Sequence, residues 1–328
     1  MLFRLITVSG LLVATVACPS FGDFSGDFLA SGDTASVFGG QPTSIFAFNS
    51  SGALQGTFAS FGSGVNFVDQ MTIGPDGNLY VDTSNISGYG FFEFNPKTGA
   101  LIDNFRTLSI NSGSFAFAAN GNLLTSYFDF TTDTNYIYQT NLMTNSSSVL
   151  VSQPASYIFQ NIAVANGMIF TTDINQDNVQ VFNATTGAFI KSITSNSTLS
   201  LGPSSMLTGP DGNVYFSDGD GHIYQINSST LNETTFSTQL PSQSSAGLAF
   251  GSNGDLFGSN TRNSELLDFN SMSGSLNGTI PLAVPSPYAL EGPIILDSAP
   301  LATVPEPTSL ALLAFGLASL VVLSRRRG

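Results

Sequence analysis

The sequence predicts an all-β body, a six-bladed β-propeller of four-stranded blades, between an N-terminal signal peptide and a C-terminal transmembrane helix. Three observations carry that prediction. Glycines Gly77, Gly121, Gly167, Gly212 and Gly254 recur at intervals of 44, 46, 45 and 42 residues, the period of a four-stranded blade. Each recurrence shows the same order of short apolar runs and turn residues. No segment of the body sustains a 3.6-residue apolar period, so strands fit and helices do not.

The chain starts with a short basic segment, Met1 to Arg4, and an apolar stretch from Leu5 to Ala17 followed by small residues. That is the layout of a secretory signal peptide. Residues 1–22 are assigned to it, with cleavage after Ala17 or after Gly22. Cys18 follows Ala17 as in a lipoprotein box, but Thr15 stands where that box places a leucine-like residue. As the only cysteine of the chain it has no partner for an internal disulfide.

Residues 23–298 are assigned to the propeller. Its first unit lacks a first strand. Gly26 to Leu29 matches the second strand of the unit at Gly254 to Phe257, Ile45 to Asn49 matches a third strand, and Ser51 to Leu54 opens a fourth. The next units begin at Met71, Phe115, Ile162, Met206 and Leu248. In each an apolar strand runs into Pro-Asp-Gly-Asn or Asn-Gly, a strong hairpin signal because glycine and asparagine accept positive φ. A second strand follows, then a third strand that ends in Phe-Asn or Ile-Asn, as at Phe94-Asn95, Phe182-Asn183, Ile226-Asn227 and Phe269-Asn270. Thr-Gly or Ser-Gly then precedes the fourth strand. The missing strand is sought at the far end, where Gly292 to Asp297 is suited to complete the first blade. A ring closed that way has no free sheet edge at its seam. Seven blades with one degenerate, or an open stack of repeats, are the alternatives.

The turn motif Gly-Pro-Asp-Gly-Asn followed by Leu-Tyr or Val-Tyr resembles the repeats of NHL and SMP-30/gluconolactonase-like propellers and of the virginiamycin B lyase-like group. The resemblance covers the body and implies architecture. Function is not implied, because propellers host hydrolases, lyases and binding modules alike.

Charge excludes some partners. The chain has 8 Lys+Arg against 22 Asp+Glu. Loss of Arg4 and Arg325 to Arg327 leaves 4, and loss of Glu306 leaves 21, so the mature body stands at about −17. Nucleic acid needs a basic footprint and is excluded as a partner.

Catalytic groups are sparse. The only histidine, His222, lies in a polar turn, Ser217 to His222. Glutamates of the body occur at 93, 233, 265 and 291 only, and no Gly-x-Ser-x-Gly elbow is present. The expectation is a non-enzyme with no required cofactor. The alternative is a metal-assisted lactonase-like or lyase-like enzyme, as the resemblance would allow. One constellation stands out just past the second strands: Asp82-Thr83, Ser126-Tyr127, Thr172-Asp173, Ser217-Asp218 and Ser259-Asn260. Propeller symmetry would set Asp82, Thr83, Tyr127, Asp173, Asp218 and Asn260 on one rim, suited to a sugar or to Ca2+. The same residue types also favour turn starts, where they bond to local backbone. Eight Asn-x-Ser/Thr sequons follow from the composition.

Residues 299–307 read as a linker, and 308–328 as a transmembrane segment with a basic end. Val304, Pro305, Glu306 and Pro307 precede an uncharged apolar run from Thr308 to Leu323, and Arg325, Arg326 and Arg327 follow it. The run is about 16 residues long, short against the roughly 20 of a spanning helix. Arginines at its end hold that end in the cytoplasm. This three-part tail resembles the PEP-CTERM sorting signal of exported bacterial proteins. The resemblance implies an exosortase-like processing enzyme as partner and transient residence in the inner membrane. It also implies delivery to the cell surface or extracellular matrix, among polysaccharide or envelope components.

Overall fold

A computed structural model of the chain describes residues 28–34, 43–61, 67–85, 88–105, 114–129, 131–154, 156–194, 205–241, 247–286 and 288–296. The signal peptide, linker and sorting tail read from the sequence lie outside these residues. The described residues form six four-stranded antiparallel sheets. Blade 2 is typical: Phe67–Ile73, Leu79–Asn85, Gly88–Phe94 and Leu101–Asn104 pair in chain order, from an inner to an outer strand. No helix among the described residues is long and apolar enough to cross a membrane.

Closure follows the sequence expectation. Blade 1 takes Phe28–Thr34, Ser44–Phe48 and Leu54–Ser60 from the front of the chain and Tyr288–Leu296 from the far end. Phe28 stands opposite Leu296, Ala30 opposite Ile294 and Gly32 opposite Leu290. The closing strand is longer than the expected segment because it starts four residues earlier, at Tyr288, whose ring meets Phe46 edge-on at 4.9 Å.

The core is divided among the six interfaces between neighbouring blades. Leu29, Ile45 and Phe58 of blade 1 pack on Val81 and Phe94 of blade 2. Tyr80 and Phe91 meet Phe115 and Leu123 of blade 3, and Leu124 and Ile137 of blade 3 meet Ile169 and Phe182 of blade 4. The remaining interfaces repeat the scheme, up to Phe257 and Leu266 against Phe28 and Phe48. Both faces of a blade are therefore covered, so the middle strands are apolar on both sides, as buried strands are. Ser44–Phe48 and Val214–Ser217 are buried at every residue. Alternation persists in Thr134–Asn141 of blade 3, whose first residues are half-buried and buried by turns.

The repeated turn motifs have specific tasks. Asp76 Oδ1 accepts the Asn78 amide at 3.1 Å, and Asp211 Oδ1 accepts that of Asn213 at 3.0 Å. The other carboxylate oxygen accepts the tyrosine hydroxyl two residues on from the asparagine, Tyr80 at 3.0 Å and Tyr215 at 2.9 Å. Gly77 and Gly212 sit at φ +83 and +77, in the left-handed region that an L side chain resists. The Phe-Asn repeat is explained by turns on the same face. Asn95, Asn183, Asn227 and Asn270 each accept a turn amide two or three residues ahead through Oδ1. All six pairs of third and fourth strands carry a register shift. Such bulges twist an open edge away from foreign strands.

Candidate functional site

The chain reverses between first and second strands, and between third and fourth, on one face of the propeller. The second strands end on the opposite face, and all six rim residues lie at that end. Five of them are buried there. Asp218 Oδ1 accepts the amides of Asp220 at 3.0 Å and His222 at 2.8 Å, while Oδ2 stands 3.2 Å from His222 Nδ1. Burial pushes the Tyr224 hydroxyl above its ordinary range, and neighbouring Asp218 adds to that. Asp173, fully buried, accepts the amides of Ile158 at 3.0 Å, Asn175 at 3.2 Å and Gln176 at 3.4 Å through Oδ1. Its Oδ2 makes no hydrogen bond among the described residues, and burial raises its carboxyl above the usual range. Thr83 Oγ1 donates to the Gly90 carbonyl at 3.1 Å, and Asn260 Nδ2 to Glu265 Oε1 at 2.6 Å. Asp82 is buried beside Thr83.

One residue earlier on each strand, hydroxyls lock the inner strand in place. Thr172 Oγ1 accepts the Asn161 amide at 3.1 Å, and Ser259 Oγ accepts that of Gly247 at 2.8 Å. Between blades the inner ring is stitched by Gln70. Its Oε1 accepts from Ser114 Oγ and the Phe115 amide, and its Nε2 donates to the Phe115 carbonyl at 2.8 Å. The residues thus share a face, with the carboxylates of Asp173 and Asp218 turned into their own loops. Among the described residues, no three His, Cys, Asp or Glu side chains gather as a metal ion would need.

Tyr127 differs from the other five. It is half-buried and packs with Tyr136 and Tyr138, two residues that the sequence reading does not single out. Their signal is present in the chain: Tyr136 and Tyr138 are two apart on one strand, and Tyr127 stands directly opposite Tyr136.

A second polar cluster lies on the other face, in blade 2. Glu93 is buried between Asn78 and Tyr80, and Asn78 Nδ2 bridges it to Asp76 at 2.6 and 3.0 Å. Burial pushes the Glu93 carboxyl above its usual range, and Asp76 and Asp103 add repulsion against the Asn78 hydrogen bond. Blade 5 carries Gln225 at this place, and its Nε2 donates to Asp211 Oδ2 at 3.1 Å. The native protein holds the Glu93 proton more tightly than the unfolded chain, so this group's contribution to stability is complete below the ordinary carboxylate range. It is lost as pH rises through the folded pKa. Asp173 and Asp268, also raised by burial, act in the same direction. Glu93→Gln is therefore expected to raise stability at pH 7.5 by about 1 kcal/mol, roughly 2–4 °C in melting temperature. Near pH 4 the gain should vanish. An equal gain at both pH values in thermal melts would refute the protonation argument.

The C-terminal residues 303–327 match the PEP-CTERM protein-sorting motif. No curated protein sequence matches the chain. Among solved structures, the chain is similar to a catalytically inactive virginiamycin B lyase from Staphylococcus aureus with quinupristin. The two are 14% identical with a TM-score of 0.57, over 84% of this chain and 90% of that one. It is also similar to a chain of the nidogen/laminin complex, at 13% identity and a TM-score of 0.60, over 83% and 100%. A protein of unknown function from Bacteroides caccae aligns at 14% identity and 0.56, over 82% and 97%. At these identities the likeness is one of fold. The chain is thus a β-propeller that carries a PEP-CTERM sorting motif, which marks it as an exported, membrane-anchored sorting precursor.

Proposed function

We propose that the protein is cut from its tail by an exosortase-like membrane enzyme and released to the cell surface or extracellular matrix, where the propeller serves as a binding module. The signal peptide delivers the body across the inner membrane, and the apolar tail holds it there until processing. The sorting motif at residues 303–327 carries this reading. The body adds support: its only histidine is held by Asp218, and one carboxylate oxygen each of Asp173 and Asp218 is taken up by backbone amides.

The competing reading is a lactonase-like or lyase-like propeller. Full-length protein offered lactones, esters and quinupristin, with and without added calcium or magnesium, is expected to give no turnover above the blank. Metal-dependent turnover that disappears in Asp173→Ala or Asp218→Ala would replace the binding module with an active site.

A further inference from the structure

We propose that Tyr127, Tyr136 and Tyr138 form an aromatic platform on blade 3 that binds a neutral glycan, an inference that rests on the binding-module reading and names its ligand class. The platform lies on the long third strand of blade 3, Thr134–Asn141, and the second strand beside it, Leu123–Asp129. On the side turned to blade 2, the near half of this sheet is core, with Leu123 packed on Tyr80 and Phe91. The far half carries the three tyrosines, each half-buried.

Blade 3 also departs from the other blades in how it fixes its turn. Where Asp173 and Asp218 bond into their loops, and Thr83 and Asn260 to the residue opposite on the next strand, blade 3 has Tyr127. The turn-fixing carboxylate sits two residues later, at Asp129, which accepts the Thr131 amide and the Thr132 hydroxyl, each at 2.8 Å. That shift frees position 127 for a ring. The ring centroids lie 6.3 Å (Tyr127 to Tyr136), 6.0 Å (Tyr127 to Tyr138) and 5.6 Å (Tyr136 to Tyr138) apart, at interplanar angles of 17°, 48° and 46°. They form a compact, open patch rather than an enclosing box.

The hydroxyls favour a ligand over simple packing. Tyr80 and Tyr215, which serve packing, are buried and donate to Asp76 and Asp211. The contacts of Tyr127, Tyr136 and Tyr138 among the described residues are ring contacts, with no hydrogen bond to their hydroxyls. An apolar ring with an open hydroxyl matches a sugar, which offers a C–H face for stacking and hydroxyls for hydrogen bonds. Each tyrosine hydroxyl is protonated at neutral pH and can donate, and burial pushes that of Tyr138 further above its ordinary range. Charge narrows the class. The adjoining turn, 129–134, carries Asp129 and Asp133 and no basic residue, on a chain of net charge −14. An anionic polymer is repelled there. A quaternary ammonium ion would want rings set around it as a cage, and these rings are splayed by less than 50°.

The test uses full-length protein in affinity electrophoresis through gels that contain dextran, a neutral β-glucan, a galactomannan or alginate, with choline as a competitor. The chain has no Trp, and three of its 9 tyrosines form the patch, so the part of the emission change that disappears in the patch variants reports on it. Retardation by at least one neutral polysaccharide, with a change in tyrosine emission, is expected. Tyr136→Ala and Tyr138→Ala should weaken it by about tenfold, the signature of a lost stacking contact. Melting curves establish that each variant folds. Tyr136→Phe keeps the ring and should give a smaller loss, and it carries the test if the alanine variants unfold. Sorting should be unaffected, since the chain leaves the propeller at Leu296, opposite Phe28 and on the other face. Undiminished retardation in folded variants would overturn the platform and leave the binding module standing. Preference for alginate, release by choline, or no retardation by any neutral polysaccharide would overturn the glycan class.

Discussion

Truncation after Pro285 is expected to unfold the body rather than trim it. The removed segment contains Tyr288–Leu296, the inner strand of blade 1, and without it Phe28–Thr34 becomes an open edge. Two interfaces suffer together. Leu290 and Tyr288 leave the cluster that joins blades 6 and 1, where they pack with Phe46, Phe257 and Leu266. The inner ring also opens between Leu248–Phe250 of blade 6 and Phe67–Ile73 of blade 2, both of which border the closing strand. A point substitution costs 0.5–3 kcal/mol as a rule, and the loss of a whole strand should exceed about 3 kcal/mol. For a body of this size that is a fall of roughly 10 °C or more in melting temperature, with loss of soluble yield. The proper control is a chain ending at Asp297, which lacks the sorting tail but keeps the strand. Coincident melting of the two truncations would show that the ring does not depend on its closing strand.

Much of this architecture was legible because the turn chemistry is repeated and local. Gly77, Gly121, Gly167, Gly212 and Gly254 all sit at positive φ, between +71 and +84, so the period of the fold is written in residues that no other type replaces cheaply. The seam was legible for a different reason: the first unit lacked a strand and the last had one to spare. The side on which each residue faces was not legible. Both faces of a middle strand are covered by neighbouring blades, so Leu79, Tyr80 and Val81 are all apolar while Tyr80 points to blade 3 and the other two to blade 1. The rim was legible as a position and opaque as chemistry. Asp, Ser, Thr and Asn are chosen both by ligands and by turns, and only the hydrogen bonds of Asp173 and Asp218 show their engagement with the loops. Tyr136 and Tyr138 were hidden by the abundance of aromatics in the core. They stand out once the structure sets them beside Tyr127 as three half-buried rings on one face.

In a host that carries the processing enzyme, Glu306→Ala or Pro305→Ala is expected to leave the full-length protein in the inner membrane. Wild type should appear outside that membrane, lighter by the mass of the tail beyond the cut. The physical case rests on the three parts of residues 303–327, which match the sorting motif. On the proposed reading, Arg325 to Arg327 keep the end of the chain cytoplasmic, and the uncharged run from Thr308 to Leu323 holds it in the bilayer. Pro305 and Pro307 fix φ and restrict the residues before them, so the sequence predicts an extended segment that would lose little entropy when an enzyme grips it. Glu306 supplies the one charge between Asp297 and Arg325, a handle for a basic pocket. Removing the charge should abolish recognition without disturbing insertion, so the variant remains membrane-bound and uncut. Replacing Arg325 to Arg327 with Ala separates the two roles, since it weakens retention while leaving the Pro-Glu-Pro segment intact. Fractionation and intact mass of the three proteins decide the matter. If Glu306→Ala matches wild type in both, the tail acts as an anchor, and release to the surface needs another cause.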